Sequence, residues 1–337
     1  MSPSPATLDA ATRARVQAGC NFVNSEIGRL RKRVTLITIA AIGGALILWM
    51  FMGGGDPRLP VFAALAISAF FANRARLELK KSYKGIVVRR MVAALGKGLS
   101  YTAESTMSRA TFDDMDLFSE RGDRFESEDQ VIGKKGEVPY ALHEVRVRRK
   151  ERSSRNRVMF GGGGAQLIAF GIDALGSRSL SRGNFVFSGL VVQLDFNKNF
   201  RGHSVVVPDK EAQILGGLFG ESERRKSKSI VHLENPDFES MFAVYSSDDQ
   251  EARYLITPKL MELIMEAQAL LGAQLRLCFM SNHLWVTVPQ EKDRFDVGLF
   301  SGTVTPESVL GDFIEVVALA ERLVDTLDLE TRIWTKV

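Results

Sequence analysis

Residues 34–52, VTLITIAAIGGALILWMFM, are nineteen consecutive positions without a charge. At about 1.5 Å per residue this run makes a helix of about 28 Å, close to the roughly 30 Å of a bilayer's hydrocarbon core. The run starts too far from the N-terminus for a secretory signal, and no small-x-small cleavage site follows it. The sequence predicts a membrane helix here.

A second apolar run, residues 59–72, has fourteen residues before Asn73 and Arg74. It reaches only about 21 Å, so it must borrow flanking residues, thin the bilayer or let Arg74 and Arg76 snorkel. The intervening GGGDPR, residues 53–58, is a turn signal, so the pair reads as a transmembrane hairpin, with a re-entrant or interfacial second segment as the alternative. Neither run holds an ionisable group, which argues against an ion path or proton relay within the bilayer.

The flanks set the orientation. Arg29, Arg31, Lys32 and Arg33 precede the first run, and Arg74, Arg76, Lys80, Lys81 and Lys84 follow the second, whereas the turn carries Arg58 offset by Asp56. By the positive-inside rule both termini lie in the cytoplasm, making a multi-pass protein of a bacterial inner membrane. The unpaired cysteines, Cys20 and Cys278, suit that reducing compartment. Anionic lipid headgroups are the expected contact of Arg31, Lys32, Arg33, Arg74, Arg76, Lys80 and Lys81.

Composition excludes the extremes. With 45% hydrophobic and 25% charged residues, the chain is neither disordered nor a transporter built mainly of apolar helices. Its net charge of +4 conceals an asymmetry: residues 1–230 carry 36 Lys and Arg against 22 Asp and Glu, and residues 231–337 carry 8 against 18. The basic part needs an anionic partner, and the acidic part offers a face to a protein partner.

Four regions follow. Residues 1–33 read as a cytoplasmic amphipathic helix, 34–72 as the hairpin, 73–97 as a second cytoplasmic helix and 98–337 as a mixed α+β domain. Apolar positions Val16, Cys20, Val23, Ile27, Leu30 and Val34 on one side, and Leu79, Tyr83, Val87, Met91 and Leu95 on the other, form two helical stripes. If both helices continue unbroken, facing residue numbers sum to about 107, a coiled-coil-like antiparallel stalk. It pairs Val16 with Met91, Cys20 with Val87, Val23 with Tyr83, Ile27 with Leu79 and Leu30 with Leu77, and holds the domain some 30 Å from the bilayer.

Within the domain, alternation predicts antiparallel strands at 125–131 and 138–148 around the turn signal GKKG, 133–136, at 185–196 and 203–207, and a hairpin of 275–280 with 283–288. Asn235-Pro236, Thr257-Pro258 and Thr305-Pro306 mark helix starts, the last helix running to about Leu327, and Ser247 through Gln250 reads as a capping box. His232 reads as a strand residue. A Gly/Ser/Arg-rich insertion, 146–184, opens with seven Lys and Arg over residues 146–159. It reads as a solvated loop or a second headgroup contact. Nucleic-acid binding is not expected, because interleaved aromatics and any recognised module are missing.

Candidate chemistry is sparse. Gly161 to Gly164 lack a following Gly-Lys-Ser/Thr. Asp195, Asn197 and Asn199 begin a calcium-loop pattern, but Phe200 and Val206 stand where Gly and Glu are required. The four histidines show no metal-ligand spacing, and no cofactor is expected. Asp248, Asp249 and Glu251 suit a helix N-terminus. Cys278 and His283 are the one candidate catalytic pair. A turn at Ser281-Asn282 makes them diagonal neighbours about 7 Å apart on the face opposite Leu277 and Phe279, fit for a thiol hydrolase or transferase if an oxyanion site and an orienting group were added. Neither is evident, and an incidental pair on a sheet surface is the simpler reading.

Several stretches together resemble a known family: Glu128-Asp129 before Gly133, Gly189 through Lys198, LENPDF at 233–238, VYSSDDQEARY at 244–254 with Thr257-Pro258, and Arg332-Ile333-Trp334. They are similar to the bacterial membrane-protein family catalogued as domain of unknown function 3137, over roughly residue 98 to the C-terminus. The resemblance implies a hairpin-anchored topology and no established activity, cofactor or catalytic residue. The function expected is that of an accessory or scaffold protein of the inner membrane, binding a protein partner and leaving self-association open.

Overall fold

The computed structural model describes residues 10–51, 53–54, 58–89, 92, 98–149, 185–195, 200–209, 228–272, 274–290, 299 and 302–326. Most of the 146–184 insertion, the 197–199 turn and the 332–334 motif lie outside the described residues.

The chain is mixed α+β. Helix α1 is one unbroken helix, Ala10–Phe51, and α2 runs Arg58–Ser82 before widening into a π-helical turn, Tyr83–Val88. The domain then gives β1 (Ser100–Glu104), α3 (Arg109–Asp114), β2 (Arg124–Lys135), β3 (Val138–Arg148), β4 (Phe185–Asp195), β5 (Ser204–Pro208) and β6 (Ser229–Ile230). It continues through α4 (Pro236–Met241), β7 (Phe242–Ser246), α5 (Asp249–Leu255), α6 (Pro258–Leu271), β8 (Arg276–Met280), β9 (His283–Pro289) and α7 (Pro306–Thr326). The described strands form one antiparallel nine-stranded sheet in the order β1-β2-β3-β4-β9-β8-β5-β7-β6.

Both faces of this sheet are covered. Val131, Leu142, Val192, Leu277 and Phe279 share a core with the helices, whereas Val145, Val191, Val205, Cys278 and Trp285 pack on the other side beneath Phe112, Met115 and Leu117. Two-sided burial explains why these strands are rich in Val and Leu at successive positions.

Local chemistry sets the ends of the elements. Asn235 caps α4 by accepting from the amides of Asp237 and Phe238, and Thr257 caps α6 through the Leu260 amide, each with proline following. The cap of α5 is Asp248, one residue beyond the expected Ser247. Aspartate accepts the Glu251 amide, while the Ser247 hydroxyl accepts instead from the amide of His203. The β2–β3 hairpin also differs from expectation. Strand pairing continues to Lys135 and Val138, so the turn is Gly136-Glu137, with Gly136 at φ 55°. Gly133 sits inside β2, where a Cβ would lie 2.5 Å from the Tyr140 ring. His232 lies outside any strand, its side chain 74% exposed.

The helices do not stand off from the domain. Val16, Cys20, Val23, Ile27, Leu30 and Val34 are all buried, in one core with the sheet. Asn24 forms a reciprocal pair with Val304, donating to its carbonyl at 2.8 Å and accepting from its amide at 2.9 Å. Arg31 donates to the Leu299 carbonyl at 3.2 Å. A helix tied in this way to the approach to α7 is part of the body, not a spacer.

α1 packs on α2 and on the π-turn: a Cβ on Gly19 would lie 3.7 Å from Val87 of the turn, and Trp49 lines the same space as Pro60 of α2. The expected seam fails at its last pair, because Leu77 is 53% exposed while Ala72, Ala75 and Leu79 are buried. Met91 lies outside the described residues. The π-turn, in which the Arg89 amide reaches back to the Lys84 carbonyl, breaks the assumption of an uninterrupted helix.

Candidate functional site

A buried charge cluster joins the helices to the sheet. In β2 a bulge falls between Glu128 and Gln130, and Asp129 there takes φ 47°, a left-handed conformation that aspartate tolerates better than most residues. The bulge interrupts strand alternation, so the adjacent carboxylates of Glu128 and Asp129 both reach Lys84. The π-turn brings Lys84 to them from the other side. It is only 5% exposed, with Nζ 2.9 Å from Glu128 and in close contact with Asp129. Tyr101 donates to the second Asp129 oxygen, and Lys80 reaches Glu128 at 2.5 Å. On β3, Glu144, the strand partner of Glu128, pairs with buried Arg146.

These environments shift the titrations in opposite directions. Burial pushes Asp129 up to about 6 even though Lys84 and Tyr101 favour its carboxylate. Glu128 is less enclosed, and Lys80 and Lys84 outweigh its burial and bring it down to about 2. Lys84 is burdened by burial, yet the two carboxylates raise it above its ordinary value. Three cations and three anions therefore balance. The arrangement holds charge in place and exposes no nucleophile.

The candidate catalytic pair stands as diagonal strand neighbours, but in surroundings that do not activate the thiol. The β8–β9 register is as expected, Cys278 opposite Trp285 and Met280 opposite His283. The face that carries Cys278 is no surface, however: Cys278 is fully buried under the α3 segment. Its imidazole neighbour is His203, whose Nε2 lies 3.1 Å from Sγ and 3.3 Å from the Met115 carbonyl. Burial raises the thiol's pKa and lowers that of His203 to about 4, helped by nearby Lys228, which is itself paired with buried Asp116 at 2.8 Å. Both groups are neutral at pH 7, the opposite of an activated thiolate–imidazolium pair. His283 lies with its ring 5.8 Å from that of Trp285.

The segment most specific to the resemblance does structural work. Glu251 accepts from the amides of Arg201 and Gly202, Asp249 from the Ser229 hydroxyl, and Arg253 donates to the His232 carbonyl. The Glu251 bonds, together with that of Ser247, fix residues 201–203 and hence His203. A Cβ on Gly202 would lie 3.0 Å from both Asp248 and Glu251, so glycine permits the clamp. Sequence reading also missed the Ser105 hydroxyl 2.7 Å from His143 Nδ1, a link that holds the crossover after β1 to the sheet. Among the described residues no group of three or more His, Cys, Asp or Glu could hold a metal ion.

The expected headgroup contacts divide. Arg31 and Lys80 are engaged within the body, on Leu299 and Glu128. Lys32, Arg33, Arg74 and Lys81 are exposed, Arg74 lying 3.7 Å from Glu78, and Arg76 is half-buried. Arg146 belongs to β3 rather than to a solvated insertion, because strand pairing with Glu126 and Ser188 carries it into the sheet.

Residues 185–329 match the family model described as "Protein of unknown function (DUF3137)", so the resemblance read from the sequence holds over that span, which is shorter than expected. No curated protein matches the chain. A solved structure, the crystal structure of the mycobacterial trehalose monomycolate transport factor A, TtfA, aligns with 76% of this chain and 95% of that one. Identity is 12% and the TM-score 0.33, too low to carry an argument.

Proposed function

We propose that this is an accessory or scaffold protein of the bacterial inner membrane, anchored through α1 and α2, with its α+β domain in the cytoplasm. One observation carries the reading. α1 is a single helix whose first half is core of the domain and whose second half exposes Leu36, Ile39, Ile42, Leu46, Ile47 and Phe51, each more than half exposed. Among the described residues it is the one helix long and apolar enough to cross a membrane, its most apolar eighteen residues averaging a hydropathy of 2.3. In water such a face would be a large unfavourable surface; in a bilayer it is the required one.

α2 exposes Val61, Leu65, Ile67 and Phe70 alongside, which supports a hairpin returning to the same side. The exposed cations Lys32, Arg33, Arg74 and Lys81 favour the cytoplasmic side and anionic headgroups, while the acidic C-terminal third offers the partner-binding face. Because the helix base is built into the domain core, the domain sits close to the membrane, with its orientation fixed.

Accessibility labelling tests this. Arg58→Cys should react with an impermeant maleimide in intact spheroplast-free cells whose outer membrane is permeabilised, and Ser240→Cys only after inner-membrane lysis. Labelling of Ser240→Cys from outside would overturn the topology, and recovery of the chain in the soluble fraction would overturn the anchor.

A further inference from the structure

We propose that the cleft between the apolar halves of α1 and α2 holds one acyl chain of an anionic phospholipid, with its headgroup at the cations just beyond. The proposal rests on the reading that these helices lie in the bilayer. The cleft has a volume of about 490 Å³. Its floor is made of small residues, Ala45, Ala64 and Ser68, and its rims are Ile42, Leu46, Val61 and Leu65, each about half exposed.

The wall is almost wholly apolar. The Thr38 and Ser68 hydroxyls both donate to their own helices, to the carbonyls of Val34 and Ala64 at 2.8 Å. The ligand is therefore hydrocarbon. Helices that pair in membranes present small residues at the contact so that backbones approach. Here the bulky rims stand over a narrow floor, which admits a single chain and excludes the backbone of a second copy.

The ends of the cleft specify which hydrocarbon. Trp49 stands at the end near the turn, where an indole suits the membrane interface. At the other end the helices close on buried Val34, Ala72 and Ala75, so a chain must leave sideways. The first charges beyond are exposed Lys32, Arg33 and Arg74. By helical rise, Arg33 and Arg74 lie about 7–9 Å past Thr38 and Ser68. That is close to the thickness of one headgroup layer, about 5–7 Å. A phosphate therefore reaches the cations while its chain stays in the cleft.

The test uses the full chain in phosphatidylcholine vesicles doped with phosphatidylglycerol that carries a photoactivatable diazirine on one acyl chain, with adducts mapped by mass spectrometry. Adducts should concentrate on the peptides bearing Ala45 and Ala64, saturate with probe, and be competed by unlabelled phosphatidylglycerol but not by added phosphatidylcholine. Ala64→Phe, or Ala45→Phe independently, should abolish the saturable adducts and spare those on outward-facing Leu48 and Phe70. Arg33→Gln with Arg74→Gln should remove the headgroup preference and leave the cleft labelled. Equal, non-saturable labelling of cleft and outer face would overturn the proposal while leaving the anchor intact, as would photo-crosslinking of cleft residues to a second copy. Absence of adducts on Leu48 and Phe70 as well would overturn the anchor itself.

Discussion

Replacing Lys84 by methionine keeps the length of the side chain and removes the one cation that touches both bulge carboxylates. Glu128 retains Lys80, but Asp129, 1% exposed, keeps only Tyr101 among the partners described above. Breaking a buried pair costs about 3–5 kcal/mol because a charge is left uncompensated, and the remaining Tyr101 bond places this case near about 3. For a body of this size that is a fall in melting temperature of about 10 °C. The pH dependence follows from Asp129, which already sits at about 6 and moves higher without Lys84. An acid whose folded pKa exceeds its unfolded value of about 3.9 is more readily protonated when folded, so stability falls as pH rises through that window. The Lys84→Met deficit should therefore be largest near pH 8 and shrink below about pH 6, where Asp129 is neutral in both proteins. Thermal unfolding of the full chain in detergent, followed by near-ultraviolet circular dichroism, reads it. The double variant Lys84→Met/Asp129→Asn should recover most of the loss, since an uncharged side chain that still tolerates the left-handed backbone removes the stranded charge. A deficit under about 1 kcal/mol, no pH dependence, or simple additivity in the double variant would refute the reasoning.

Four further outcomes follow from the geometry. Glu251→Gln should speed hydrogen exchange at the Arg201 and Gly202 amides and cost about 1–3 kcal/mol, as expected for charge-assisted bonds; unchanged exchange there would contradict the clamp. In folded protein at pH 8 neither cysteine should react with Ellman's reagent before unfolding, because burial raises Cys20 to about 11 and raises Cys278 too; fast labelling of Cys278 would reopen thiol chemistry. Gly189→Ala should destabilise by about 1–3 kcal/mol, since its Cβ would meet the Val288 carbonyl at 2.2 Å. Gly28→Ala, in α1 with nothing within 4 Å, should instead stabilise by about 0.5–1 kcal/mol, and equal melting temperatures for the two would count against the packing described.

Legibility followed the range of the forces involved. Helix starts at Asn235 and Thr257 were readable because a cap and the following proline act within four residues. The β8–β9 register was readable because a two-residue turn fixes every cross-strand pair. Glu128-Asp129 was noticed as part of a resemblance, but its role needs a bulge and a π-turn that local pattern does not encode. Cys278 stood out through its diagonal strand neighbour His283, whereas its hydrogen-bonding neighbour His203, 75 positions away in sequence, has no local signal.

By itself the sequence determined that this chain has an apolar helix with cations at one end and an antiparallel domain behind it. Periodicity, run length and charge are properties of contiguous residues, and they act whatever the rest of the chain does. Tertiary structure alone decided that the helix base belongs to the domain core instead of standing clear of it. The stripe from Val16 to Val34 could as well have been buried by a partner helix alone. What settles the matter is the reciprocal Asn24–Val304 pair and the Lys84 cluster, contacts across 280 and 44 or 45 positions. Such contacts form only when the whole fold has brought their partners within hydrogen-bond reach, so no local pattern announces them.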